Sequence, residues 1–128
     1  MRTIPVGHTF EVSYPVLEGD TGHALGNTGV TVLGTPALIK YMEMSCGRAL
    51  PSFLDDGEGS VATRVDIEHL APAPLGAEVV YRSEVADVAR NKVTFAVTAH
   101  LGETLLMRGR HIRAVLDMTR FRGDDGAD

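Results

Sequence analysis

Gly34-Thr35-Pro36-Ala37-Leu38-Ile39-Lys40-Tyr41-Met42-Glu43-Met44-Ser45-Cys46-Gly47-Arg48-Ala49-Leu50, closed by Pro51, is the stretch from which the rest of the chain can be read. It predicts one helix over residues 35–50. Thr35 followed by Pro36 is a start signal, because a threonine hydroxyl can accept from the orphan N–H groups of a first turn. Proline early in that turn gives up a donor the helix does not need, and Pro51 supplies the stop. At about 100° per residue, Leu38, Ile39, Met42, Cys46, Ala49 and Leu50 form one broad apolar stripe. Glu43 sits at its edge, with Lys40, Met44 and Gly47 beyond. A carboxylate bordering a core face calls for an explanation.

Downstream, residues 61–70 (Val-Ala-Thr-Arg-Val-Asp-Ile-Glu-His-Leu) alternate as a strand. Val61, Thr63, Val65, Ile67 and His69 share one face, and Ala62, Arg64, Asp66 and Glu68 the other. His69 therefore points where core residues point. After the break at Ala71-Pro72-Ala73-Pro74-Leu75-Gly76, three alternating segments follow, at 77–88, 92–101 and 104–118. Their connections, Ala89-Arg90-Asn91-Lys92 and Gly102-Glu103, are hairpin-short. Gly109 inside the last segment predicts a bulge or a close backbone approach. Upstream, residues 9–16 alternate with Phe10, Val12, Tyr14 and Val16 on one face, and Pro15 suits an edge strand. Residues 17–34 carry Gly19, Gly22, Gly26 and Gly29 and read as a long connection, partly ordered over 29–33, of the kind that forms lids and binding loops.

A chain of 128 residues fits one domain with a substantial core, here expected over 1–122, with the acidic tail 123–128 disordered. No apolar run approaches the roughly 20 residues that span a bilayer, and the first residues lack a signal-peptide apolar segment, so a cytoplasmic protein without membrane attachment is expected. The formal charge of −5 argues against general nucleic-acid affinity. Arg108, Arg110 and Arg113 are the one tight basic cluster for an anionic ligand. The single cysteine, Cys46, reads as a small buried hydrophobe. His8, His23, His100 and His111 lack zinc-like spacing, so no metal is expected. Neither a P-loop nor a Gly-x-Gly-x-x-Gly sequence is present, against nucleotide hydrolysis or nicotinamide chemistry. The element order is strand, long loop, one long helix and four strands in an antiparallel meander. This is an α+β arrangement in which a strongly twisted five-stranded sheet wraps one apolar helix and a second copy covers what is left.

Four pieces in this order and spacing resemble the hotdog-fold acyl-CoA thioesterases, and within them the group similar to the fluoroacetyl-CoA thioesterase. They are Gly34-Thr35-Pro36, Met42-Glu43, the run from Gly59-Ser60-Val61-Ala62 through His69-Leu70-Ala71-Pro72, and Arg110-His111-Ile112-Arg113-Ala114-Val115. The resemblance covers roughly residues 30–121. It implies a hotdog fold, a symmetric homodimer with a tetramer as the larger option, coenzyme A thioesters as substrates and no cofactor. It also implies Thr35, Glu43 and His69 as catalytic residues, with Ala62, His69 and Arg113 contacting substrate. Two positions depart from the group: residues 16–34 lack its aromatic gate, and Ala62 stands where it has a glycine. A substrate other than fluoroacetyl-CoA is the expectation.

Each site residue has a plainer reading beside this one. Thr35 is also a ready N-cap, Glu43 a surface partner for Lys40, His69 a hydrogen-bonded core histidine, and Arg113 a solvent-facing side chain or a partner for Asp117. In the catalytic reading the helix start offers N–H groups and positive potential to an oxyanion, Glu43 and His69 move protons, and Thr35 attacks or positions water. Thr35 and Glu43 are eight positions apart, about 12 Å along a helix, so both can reach one carbonyl only if each site is shared between two chains. The rival reading is a non-catalytic acyl-CoA-binding or regulatory hotdog module.

Overall fold

The computed structural model describes residues 1–122, and the expected tail at 123–128 lies outside them. Among the described residues are five strands: β1 (Thr9–Pro15), β2 (Glu58–His69), β3 (Glu78–Ala89), β4 (Lys92–Leu101) and β5 (Thr104–Asp117). The long helix is α1 (Thr35–Arg48), and a short α2 (Thr119–Arg122) follows β5. All neighbouring strands pair antiparallel in the order β1-β3-β4-β5-β2. The two hairpins turn on Arg90-Asn91 and Gly102-Glu103, with Arg90 and Gly102 both at φ 59°, the left-handed conformation that matches strand twist. β1 is an edge strand, as Pro15 required, and β2 is the other edge.

The core lies between α1 and the concave face of the sheet. Leu38, Met42, Cys46 and Leu50 are buried against Val79, Tyr81, Val85, Phe95, Val97 and Met107. Burying side chains of this size is worth about 1.5–3 kcal/mol each, which is why one helix can organise five strands. The buried face of α1 is broader than the sequence stripe, for Ala37, Tyr41 and Ser45 join it. The helix closes at Arg48, with the Ala49 N–H bonded to the Cys46 carbonyl (3.1 Å), and a 3-10 turn over Pro51–Phe53 follows. Gly34, not Thr35, is the N-cap residue, and no side chain caps the first turn. Thr35 is already helical, which frees its hydroxyl for another partner.

The loop before α1 is ordered over more than its expected part. The Gly22 N–H donates to the Val32 carbonyl (2.9 Å), and Leu33 N–H donates to the Ala73 carbonyl (2.8 Å), tying the loop to the segment after β2. Gly22 permits this fold-back, since a Cβ there would stand 2.7 Å from Val30 Cγ1.

β2 corrects the simple alternation. Its register against β5 shifts between Ala62 and Arg64, leaving Thr63 as an extra residue. Directly paired residues share a face, so Ser60 and Ala62, opposite Val115 and Arg113, lie on the same side as Val65, Ile67 and His69, opposite His111, Gly109 and Met107. Ala62 thus joins the face of His69, while Val61 and Thr63 leave it. Gly109 lies where β2 crosses closest. A Cβ there would overlap the Asp66 carbonyl oxygen and come within 2.6 Å of Ile67 Cα. Backbone cannot yield as a side chain can, so Gly109→Ala is expected to destabilise the fold by about 1–3 kcal/mol, read as a lower urea midpoint.

Candidate active site

Thr35 at the first position of α1 and His69 at the last position of β2 meet directly, with Thr35 Oγ1 and His69 Nδ1 2.8 Å apart. The Leu70 N–H, bonded to the Leu106 carbonyl (2.7 Å), pins the strand end that carries His69. The pair stands on the wall of a cleft of about 540 Å³ formed by the 17–34 loop, the start of α1 and residues 69–72. Leu25, Val30, Val32, Leu33 and Leu70 make that cleft largely apolar. If Nδ1 accepts the hydroxyl proton, Nε2 carries a proton to give; if Nδ1–H donates, Nε2 is a bare base. The N-cap reading of Thr35 fails here because its hydroxyl is committed to the imidazole.

Glu43 lines a different cleft, of about 460 Å³, with Ile39, Lys40, Met44 and Arg113. Its side chain is 43% exposed, so a single chain does not desolvate it. Its partner is Arg113 rather than Lys40: Arg113 Nη1 lies 3.7 Å from Glu43 Oε1 and donates to the Glu43 carbonyl (3.4 Å). The guanidinium is buried and also donates to Ser60 Oγ (2.8 Å), the Ser60 carbonyl (2.9 Å) and His111 Nε2 (3.2 Å). Four of its five N–H groups are thereby used inside the chain. Arg113 is thus directed at Ser60, His111 and Glu43 rather than at solvent. The supposed basic cluster is dispersed, because Arg108 faces the other side of β5 and bonds Glu68 Oε1 (3.0 Å). Ala62 lies on the exposed part of β2 and is absent from the lining of the Thr35–His69 cleft.

A third polar cluster fixes the loop. Asp20, 3% exposed, accepts from the Tyr41 hydroxyl (2.6 Å), Leu17 N–H (3.0 Å) and Lys40 Nζ (3.2 Å). Its own carbonyl accepts from the Gly34 N–H (2.8 Å), so one residue ties the loop to the N-cap and first turns of α1. Burial works to raise the Asp20 carboxyl, but these hydrogen bonds and the Lys40 charge hold it below the ordinary range. Burial pushes the Cys46 thiol up to about 12, leaving it an inert packing group. Among the described residues no group of three His, Cys, Asp or Glu side chains is placed to hold a metal ion.

Residues 16–119 match the family of fluoroacetyl-CoA-specific thioesterases. The chain belongs to that family. The fluoroacetyl-CoA thioesterase of Streptantibioticus cattleyicolor is 33% identical over 90 residues, 70% of this chain and 65% of that protein's length. A variant of the fluoroacetyl-CoA-specific thioesterase, solved with fluoroacetate and CoA, superposes with a TM-score of 0.87 at 29% identity, covering 92% of this chain and 99% of that one. A hot-dog-like protein from Thermanaerovibrio acidaminovorans superposes with a TM-score of 0.84 at 25% identity over 93% of this chain and 88% of the other. The fold is the hotdog fold.

Within this family member, the sequence reading missed Asp20, Tyr41, Ser60 and His111 as parts of the site. His111 carried the one available signal, for it shares strand parity with Arg113 and Val115. Asp20 lay in the loop, where no periodicity applies.

Because the folded-state pKa of Asp20 is depressed, the stability it supplies is complete above the unfolded value near 3.8 and is lost as pH falls through the folded value. Asp20→Asn is expected to cost about 1–3 kcal/mol near neutral pH, with the gap to the native protein narrowing in acid. Urea unfolding of both proteins at about pH 7 and about pH 3 reads this difference.

Proposed function

We propose that this protein hydrolyses an acyl-CoA thioester to a carboxylic acid and free coenzyme A, as a homodimer whose sites combine Thr35 and His69 of one protomer with Glu43 of the partner subunit. The observation that carries the reading is the 2.8 Å contact between Thr35 and His69 on the wall of an apolar cleft at a helix start. Family membership supports the thioester chemistry. The separation of Thr35 and Glu43 into two clefts supports a shared site. So does the half-open Glu43, which a second chain would desolvate.

In this reading water adds its oxygen to the thioester carbonyl carbon and passes a proton to Glu43. The first-turn N–H groups of α1, or the Ala62 N–H, hold the oxyanion. The C–S bond then breaks, and the departing thiolate takes a proton from His69. The same groups also serve attack by Thr35 Oγ, with water cleaving the resulting ester. Residues 16–34 contain no Phe, Tyr or Trp, and the cleft they help to form is lined by aliphatic side chains. An aliphatic acyl group larger than fluoroacetyl suits that lining. A cytoplasmic setting belongs to the proposal.

A panel of acyl-CoAs followed with a thiol reagent tests the reaction. Thr35→Ala, Glu43→Gln and His69→Ala are each expected to lower kcat by about 10²–10⁴-fold with little change in folding. Full activity in all three removes the assignment, and saturable coenzyme A binding without thiol release makes the protein a binding module. Mixing Thr35→Ala with Glu43→Gln chains tests the shared site. Random re-pairing should restore roughly a quarter of native activity, because half the dimers then hold one intact site of two, whereas sites within single chains stay dead.

A further inference from the structure

His111 is fully buried in β5, between Val65 of β2 and Phe95 of β4, and makes two hydrogen bonds in opposite directions. Nδ1 lies 2.9 Å from the carbonyl oxygen of Arg64, the residue just past the register shift in β2. Nε2 lies 3.2 Å from Arg113 Nη1. A carbonyl can only accept and a guanidinium can only donate. The ring must therefore donate from Nδ1 and accept at Nε2, which is the neutral Nδ1–H tautomer and no other. Protonation would put a donor opposite a donor beside a fixed positive charge. Burial also pushes the imidazole below its ordinary value, against the opposing pull of the Arg64 carbonyl, so the neutral form fits the surroundings.

The same Arg113 Nη1 that His111 accepts from lies 3.7 Å from Glu43 Oε1, and it also donates to the Glu43 carbonyl. The ring thus joins the β2 bulge, beside Ala62, to the helical carboxylate. We infer that His111 is a positioning residue for hydrolysis, the pivot through which the bulge sets the Arg113 guanidinium on Glu43. The inference rests on the catalytic role proposed for Glu43. Hydrogen bonds to a guanidinium in a low-dielectric interior hold its plane firmly, and misplacement of a catalytic group by about 1 Å can cost up to about 10²-fold in rate.

Two substitutions separate the two ends of the ring. Asparagine places an amide where Nδ1 stands and keeps the donation to Arg64, whereas glutamine places an amide oxygen where Nε2 stands and keeps the acceptor for Arg113. His111→Asn is expected to lower kcat about tenfold with KM within about twofold, while His111→Gln keeps most of kcat. In a Glu43→Gln background His111→Asn should change kcat by less than about twofold, because the group it positions is already gone. Equal losses in the two single variants, or a further tenfold loss in the double variant, overturn the inference. If Glu43→Gln alone keeps native activity, the catalytic reading of Glu43 falls, and that result is separate from the behaviour of the His111 variants. Imidazole ¹⁵N spectra of the native protein test the wiring without any variant or substrate: an Nδ1–H tautomer across neutral pH is expected, and an Nε2–H tautomer or a charged ring overturns it.

Discussion

One helix has to fill the concave face of a five-stranded sheet, and most of the structure follows from that constraint. The side chains of Leu38, Met42, Cys46 and Leu50 give the sheet something to curl around. A twisted antiparallel sheet of this width leaves its two outer strands, β1 and β2, as edges with less to cover them. The middle of β2, from Ala62 to Asp66, is accordingly exposed, although the strand bears a valine there and ends at a candidate catalytic histidine. Wrapping also brings the end of β2 against the start of α1, far apart in sequence, and that crossing places His69 on Thr35.

The bulge in β2 decides what faces what. Without the extra residue at Thr63, Ala62 would share a face with Arg64 and lie away from His69. With it, Ser60 and Ala62 turn to the side of His111 and Arg113, and Ser60 can receive two of the guanidinium's bonds. Buried polar groups are costly unless each finds a partner. Here they are wired in series: a strand carbonyl to an imidazole, the imidazole to a guanidinium, and the guanidinium to a helix carbonyl and carboxylate. Nearer the start of α1, Asp20 performs the same task for the loop, with Tyr41 and Lys40 as donors.

These two polar clusters hold different parts of α1. The Asp20 cluster secures the first turns, where Thr35 meets His69, and the Arg113 cluster secures the middle, where Glu43 emerges. The helix pitch keeps the two regions about 12 Å apart, a distance no side-chain rotamer removes. The half-exposed state of Glu43 in a single chain agrees with that separation.

Much of this was legible in order. Periodicity and the residues at 35, 36 and 51 marked the helix, and alternation with short turns marked β3, β4 and β5, because these are local consequences of side-chain geometry. The family pieces carried Thr35, Glu43 and His69 as candidates, and the eight-residue spacing alone separated two of them. What the sequence could not determine was direction. Thr35 has the same chemistry as an N-cap and as a partner of histidine, and only the crossing of β2 over the helix start chose between them. Arg113 has the same charge facing solvent or core, and only the register of β2 against β5 supplied Ser60 and His111 to receive it. A one-residue bulge leaves no periodic mark yet reverses every face before it, so the partners of buried polar groups were decided by tertiary pairing.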